Sequence, residues 1–203
     1  VATLTLNPTI DARINGILTT SNYGSQSLLT HGVNYSGGNK TETWRSLLNF
    51  NVSALAGATI NSAKLRRYIT DVVGDPFDVK IARCTRPQDW VEGAVTWERY
   101  ADGQNWTTQG GDFSDTTPAA VTYSEPSTED AYVETTGLEA FVEDALQFRN
   151  GIVSLLLRNA NEAPGTTKVS VYRSSEATNK PELVVDYTPP GGEAQVLTLR
   201  NYW

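Results

Sequence analysis

The feature that most constrains this chain is its punctuation. Apolar residues alternate over short runs, and Gly, Asn, Pro, Ser and Thr interrupt those runs at close intervals. Side chains on a strand alternate between its two faces, so the pattern predicts many short strands joined by turn-rich connections. Candidate strands lie at 3–6, 9–14, 46–52, 63–70, 77–84, 94–98, 119–123, 131–135, 152–158, 168–173 and 182–187. Within 46–52, Leu48, Phe50 and Val52 share one face, while Asn49 and Asn51 share the other. The run 152–157 is nearly all apolar, which predicts a strand buried on both faces or at the sandwich centre.

One segment breaks the alternation. Leu138, Phe141, Val142, Ala145 and Leu146 recur at helical spacing and form a single apolar stripe. Thr136 and Glu139 match a capping box, and Asn150-Gly151 supplies a stop. The spacing predicts one short helix over about 137–150, lying across an edge or end of a sheet. The stretches 34–43, with Gly37-Gly38, and 102–118, with Gly110-Gly111, read as long loops.

Residues 1–187 thus form a single domain, 188–193 have a Pro/Gly linker composition, and 194–203 make an apolar tail. In the tail, Val196, Leu197, Leu199, Tyr202 and Trp203 need a surface to cover them. The tail either folds back as an edge strand or docks on another subunit.

Composition narrows the function. A chain of 203 residues fits one all-β domain, since such domains often run to about 200–250 residues. The net charge of −7 opposes nucleic acid or an anionic membrane surface as partner. No apolar run approaches a membrane-spanning length, so no membrane insertion is expected. One Cys allows neither an internal disulfide nor a zinc cluster, and one His confines most histidine chemistry to His31. The N-terminal residues do not form a signal peptide, and Val1 fits either initiator-Met removal or a signal-peptidase cut.

His31 lies in 28–32, read as a strand running into a loop, without a nucleophile elbow anywhere in the chain. It reads as a structural or solvated histidine. Cys84 closes the 77–84 strand and reads as a small buried hydrophobe. Asp89, Glu92 and Glu98 cluster around Trp90 and Trp97; a glycosidase pair is one reading, and turn-capping carboxylates are the favoured one. Lys64-Leu65-Arg66-Arg67 reads as the polar side of one strand. Asp71, Asp75 and Asp78 offer hard oxygen ligands on a turn, a candidate Ca²⁺ site weighed against a plain Gly-Asp-Pro turn. Glycosylation sequons stand at Asn34, Asn39, Asn51 and Asn105. Tyr35, Trp44, Tyr100 and Trp106 lie in or beside the long loops, with Asn34, Asn39, Gln104 and Asn105 nearby. They are candidate sugar-stacking residues, with burial of the tryptophans as the competing reading.

The ordered landmarks also carry a resemblance. They are Asp11-Ala12-Arg13-Ile14, Asn22-Tyr23-Gly24, Arg45-Ser46-Leu47-Leu48-Asn49-Phe50-Asn51-Val52-Ser53, Ala58-Thr59-Ile60-Asn61-Ser62-Ala63-Lys64-Leu65 and Trp90-Val91-Glu92-Gly93-Ala94-Val95-Thr96-Trp97. Tyr172-Arg173-Ser174-Ser175-Glu176 and Pro181-Glu182-Leu183-Val184-Val185-Asp186-Tyr187 close the series. Over about 9–187 the chain resembles the DNRLRE domain family, whose relatives include carbohydrate-binding modules of polysaccharide lyases and domains of archaeal surface proteins. The resemblance implies an all-β jelly-roll sandwich, with Trp90 and Trp97 as framework residues and no catalytic set. Asn51 stands where that family usually has Asp, and Phe141 and Phe148 where relatives tend to carry Trp.

The leading expectation is a non-catalytic structural or decorating protein of a virion (phage head or tail) or cell-surface assembly. It would occur as repeated copies or a homo-oligomer, meet other subunits through 194–203, and contact surface glycans. The alternative is a secreted carbohydrate-binding module, and the third reading is a polysaccharide-active enzyme. No cofactor is expected beyond the candidate Ca²⁺.

Overall fold

The computed structural model describes residues 1–74, 76–86 and 88–191. Two long strands organise it. β1 (Ala2–Leu6), β2 (Ile10–Asn15) and β3 (Leu28–Ser36) precede the first, β4 (Asn39–Asn51). The second is β5 (Thr59–Val73). β6 (Phe77–Cys84), the short β7 (Arg99–Ala101), β8 (Gln104–Asn105) and β9 (Phe113–Ser114), β10 (Val121–Glu125) and β11 (Ala131–Thr136) follow. The helix α1 (Glu139–Phe148) leads to β12 (Ile152–Asn159), β13 (Lys168–Arg173) and β14 (Glu182–Thr188).

All pairings are antiparallel. One edge of β5 takes β14 and then β13, and the other takes β11. β4 takes β12 on one edge and β3 followed by β2 on the other, with β6 and β10 beyond β12. The apolar faces of these two groups meet in the main core, making the jelly-roll β-sandwich that the resemblance implies, built from the short strands that the alternation predicts.

The two-faced reading of the central strands is correct. Leu48, Phe50 and Val52 enter the main core with Val153, Leu155 and Leu157. Leu47 and Leu156 point the other way, into a second core with Ala12, Ile14, Cys84, Trp90, Val95 and Trp106. That second core exists because residues 88–113 fold over the outer face of the β2–β4–β12–β6 group.

The helix forms where its stripe predicts, with Leu138, Phe141, Val142 and Ala145 buried. Its stop also holds: Asn150 and Gly151 take positive φ, and the Gly151 N–H reaches the Ala145 carbonyl at 2.9 Å. A side chain at Gly151 would meet Ser53 backbone at 2.8 Å. The capping box does not form. Leu138 occupies the N-cap, and Glu139 instead accepts the Ala63 N–H at 3.0 Å, tying the helix start to β5.

Three other expectations are corrected. The 34–43 stretch is the end of a β3–β4 hairpin turning at Gly37-Gly38, because both glycines supply the positive φ a tight turn needs. The 94–98 segment is a turn, with Ala94 and Val95 donating back to the Val91 carbonyl. Arg67 is not on the polar side of its strand. Alternation sends Lys64 and Arg66 outward, and carries Arg67 inward with Leu65 and Ile69 to zero exposure.

Among the described residues no helix is long and apolar enough to cross a membrane. Asp75 and the proposed docking residues Val196, Leu197, Leu199, Tyr202 and Trp203 lie outside the described residues.

Candidate functional site

The four aromatic candidates do not converge on one platform. Trp106 is 5% exposed, packs in the second core, and donates its indole N–H to the Thr96 carbonyl at 2.9 Å. Trp44 is also buried, set edge-on to Tyr23 and covered by the Arg13 guanidinium. For these two the burial reading holds, because each ring is spent on packing. Tyr100 is half-buried against Trp106, with Arg86 over its ring at 4.6 Å. Tyr35 is half-buried near the hairpin tip, where its N–H donates to Thr167 Oγ1.

Trp90 is a framework residue, its indole N–H donating to Asn49 Oδ1 at 3.1 Å in the core. Cys84 is buried, and that burial pushes its thiol up to about 11, which leaves it unreactive at neutral pH. His31 is fully buried between Tyr172 and Phe77. Its Nε2 lies 3.0 Å from Glu125 Oε2. Burial holds the ring pKa down despite that carboxylate, so His31 is neutral and donates from Nε2. Arg67 reaches the same Glu125 oxygen at 3.1 Å. Burial alone would raise the Glu125 carboxyl, but Arg67 and His31 overcome it and hold it down at about 2. This is an internal, charge-compensated strut with no access from outside.

An extended groove runs over the surface on the side of the second core. Its larger part has a volume of about 590 Å³ and is lined by Thr85, Arg86, Asp89, Thr107, Thr108, Gly111, Asp112 and Phe113. It continues, through the shared Thr85 and Asp89, into a recess of about 220 Å³ bounded by Gln88, Phe148, Arg149 and Asn150. The groove is built from the excursion over the second core and the last turn of α1. Asp112 fixes its floor, accepting the Thr107 and Thr108 N–H groups and the Arg86 Nε. Arg86 is thereby preorganised, with Asp89 a further 3.8 Å contact.

Two aromatics line the groove: Phe113 is half-buried, whereas Phe148 is 63% exposed. It stands seven residues after Phe141, on the same helical stripe, yet it runs past the end of the core. The sequence resemblance marks it only as a position where relatives tend to carry Trp. Of the acids grouped around Trp90 and Trp97, Asp89 lines the groove, whereas Glu98 accepts the Thr19 hydroxyl and Glu92 the Asp11 N–H.

Asp71 and Asp78 are exposed on β5 and β6. The group of acids close enough to share an ion, among the described residues, is a different one: Asp11, Glu92 and Glu176. The three stand in separate segments of the sequence, and no local spacing signals that they meet.

With the sandwich and groove in view, comparison with known proteins is decisive on one point. The sequence profile of carbohydrate-binding module family 96 matches residues 2–187. The chain belongs to this family. No curated protein matches it. Membership in carbohydrate-binding module family 96 agrees with the carbohydrate-binding relatives implied by the sequence resemblance, and it does not bear on the DNRLRE name. It favours the carbohydrate-binding alternative over the virion component that led the sequence reading.

Proposed function

We propose that this family 96 module binds a carbohydrate chain in the groove running from Phe148 past Asp89 to Arg86 and Thr108, without catalysing a reaction on it. The observation that carries this reading is the exposed Phe148 ring at one end of a trough lined mainly by hydroxyl and charged side chains. Sugars present apolar C–H faces rimmed by hydroxyls, so a site needs one bare aromatic face with fixed polar groups around it. Gln88 and Asn150 stand beside the ring, and Thr85, Thr107 and Thr108 continue the trough. Arg86 is already balanced by Asp112 and Asp89, so the trough favours neutral sugars over uronates. A surface or extracellular location follows from that role.

The test is calorimetry and affinity electrophoresis of the whole chain against neutral and uronate polysaccharides. Phe148→Ala should weaken binding about tenfold or more, the loss typical of one aromatic anchor. Its stability should change by no more than about 0.5 kcal/mol, as for other exposed side chains. Full binding by Phe148→Ala, with loss in Tyr35→Ala, would move the site to the β3–β4 hairpin.

A further inference from the structure

Asp11, Glu92 and Glu176 come from three distant parts of the chain, and each is pinned by its own contacts. Asp11 sits in β2 with zero exposure. Its Oδ2 accepts the Ser175 N–H at 2.7 Å, and its own N–H donates to Glu92 Oε1 at 2.8 Å. The turn carrying Glu92 is clamped by Asn22, whose side-chain amide donates to the Glu92 and Val95 carbonyls. Gly24 lets the clamp close, since a Cβ there would fall 2.1 Å from the Glu92 carbonyl oxygen. Glu176 is positioned by its N–H donating to the buried Ser174 hydroxyl.

One ligand oxygen from each of the three carboxylates lies within 4.8 Å of the others. Calcium bonds oxygen at about 2.3–2.6 Å, so oxygens spread this widely fit around one such ion. The second observation is independent of that clustering. Asp11 Oδ1 is buried and has no hydrogen-bond partner. A buried carboxylate oxygen left bare is costly unless a cation or proton meets it. None of the three acids belongs to an ion pair among the described residues.

We propose that Asp11, Glu92 and Glu176 hold a calcium ion that locks β2, the Glu92 turn and the 174–176 loop together, with water completing the coordination. The electrostatics agree. Burial, aided by Glu176 and Glu92, pushes the Asp11 carboxyl up to about 7 against the pull of its Ser175 bonds. Burial and Glu176 also raise Glu92. A divalent cation would remove that mutual repulsion.

The test is calcium chloride titrated into chelator-treated protein, followed by thermal unfolding and by Tb³⁺ luminescence sensitised through nearby Trp90. Calcium should raise the melting temperature by several degrees with one ion per chain, as expected for a ligand that binds only the folded state. Glu176→Gln, at an exposed position, should weaken calcium at least about tenfold by removing one charged ligand. Glu134→Gln, on β11, should leave calcium binding unchanged. Absence of a calcium response at millimolar concentration overturns the site and leaves a protonated Asp11 as its explanation. A response that survives Glu176→Gln intact also overturns it. Neither readout involves sugar, so this inference stands or falls separately from the groove.

Discussion

Among the described residues the sandwich buries acidic groups in two places and solves the problem differently in each. Glu125 lies inside the main sandwich with Arg67 and His31, so its charge is met by a cation and by a neutral donor. Asp11, under the 174–176 loop, is met by Ser175 amide and by two more acids. The first cluster balances its charge within the chain and is held by residues of β3, β5 and β10. The second is incomplete without a proton or a metal. Self-sufficient polar clusters strengthen a fold, whereas charge-unbalanced ones make it answerable to solution conditions.

The comparison breaks most visibly at Arg67. Arg67→Met strips Glu125 of its cation in a site without solvent, and should cost about 3–5 kcal/mol in urea unfolding. A loss under about 1 kcal/mol would show that Glu125 is not charged there.

The next effect is in pH. Asp11 keeps its proton in the folded state up to about 7, while the unfolded chain releases it near the ordinary 3.8. In chelator, stability should therefore fall as pH rises between those values, by on the order of 4 kcal/mol at most. Asp11→Asn or saturating calcium should flatten this decline. Glu125 has the opposite sign: its contribution is full above the ordinary 4.5 and is lost as pH falls toward about 2. A wild-type stability that is level from pH 4 to 7 in chelator would erase the distinction between the clusters.

The smallest effect sharpens the comparison. Glu176→Gln in chelator should raise stability slightly, by under about 1 kcal/mol, because it removes one like charge at an exposed position. In calcium the same substitution should lower it. That reversal of sign has no counterpart in the Arg67 cluster.

Much of the framework was legible because it depends on local periodicity. The alternation of Leu48, Phe50 and Val52 and the stripe through Leu138, Phe141, Val142 and Ala145 report directly which face is buried. Arg67 was not legible for the same reason in reverse. Arg66 and Arg67 are chemically alike neighbours, and only strand register decides which one enters the core. β3 was foreshadowed only in part, since its inner face carries His31 and Thr30 beside Leu29 and Val33. The acid trio escaped because Asp11 and Glu92 are 81 residues apart and meet only through tertiary folding. Phe148 escaped because helical spacing tells which way a side chain points, not where the core ends.

The first and last described strands have a mechanical consequence. β1 pairs along β14 from Ala2 opposite Tyr187 to Leu6 opposite Leu183, and it is the edge of the sheet order. Chain attached before Ala2 and after Tyr187 therefore departs from a single corner. Tension between two such attachments opens the pair like a zipper, rung after rung, instead of loading every rung at once in shear. Under load the β1–β14 rungs open from Ala2–Tyr187 inward toward Leu6–Leu183.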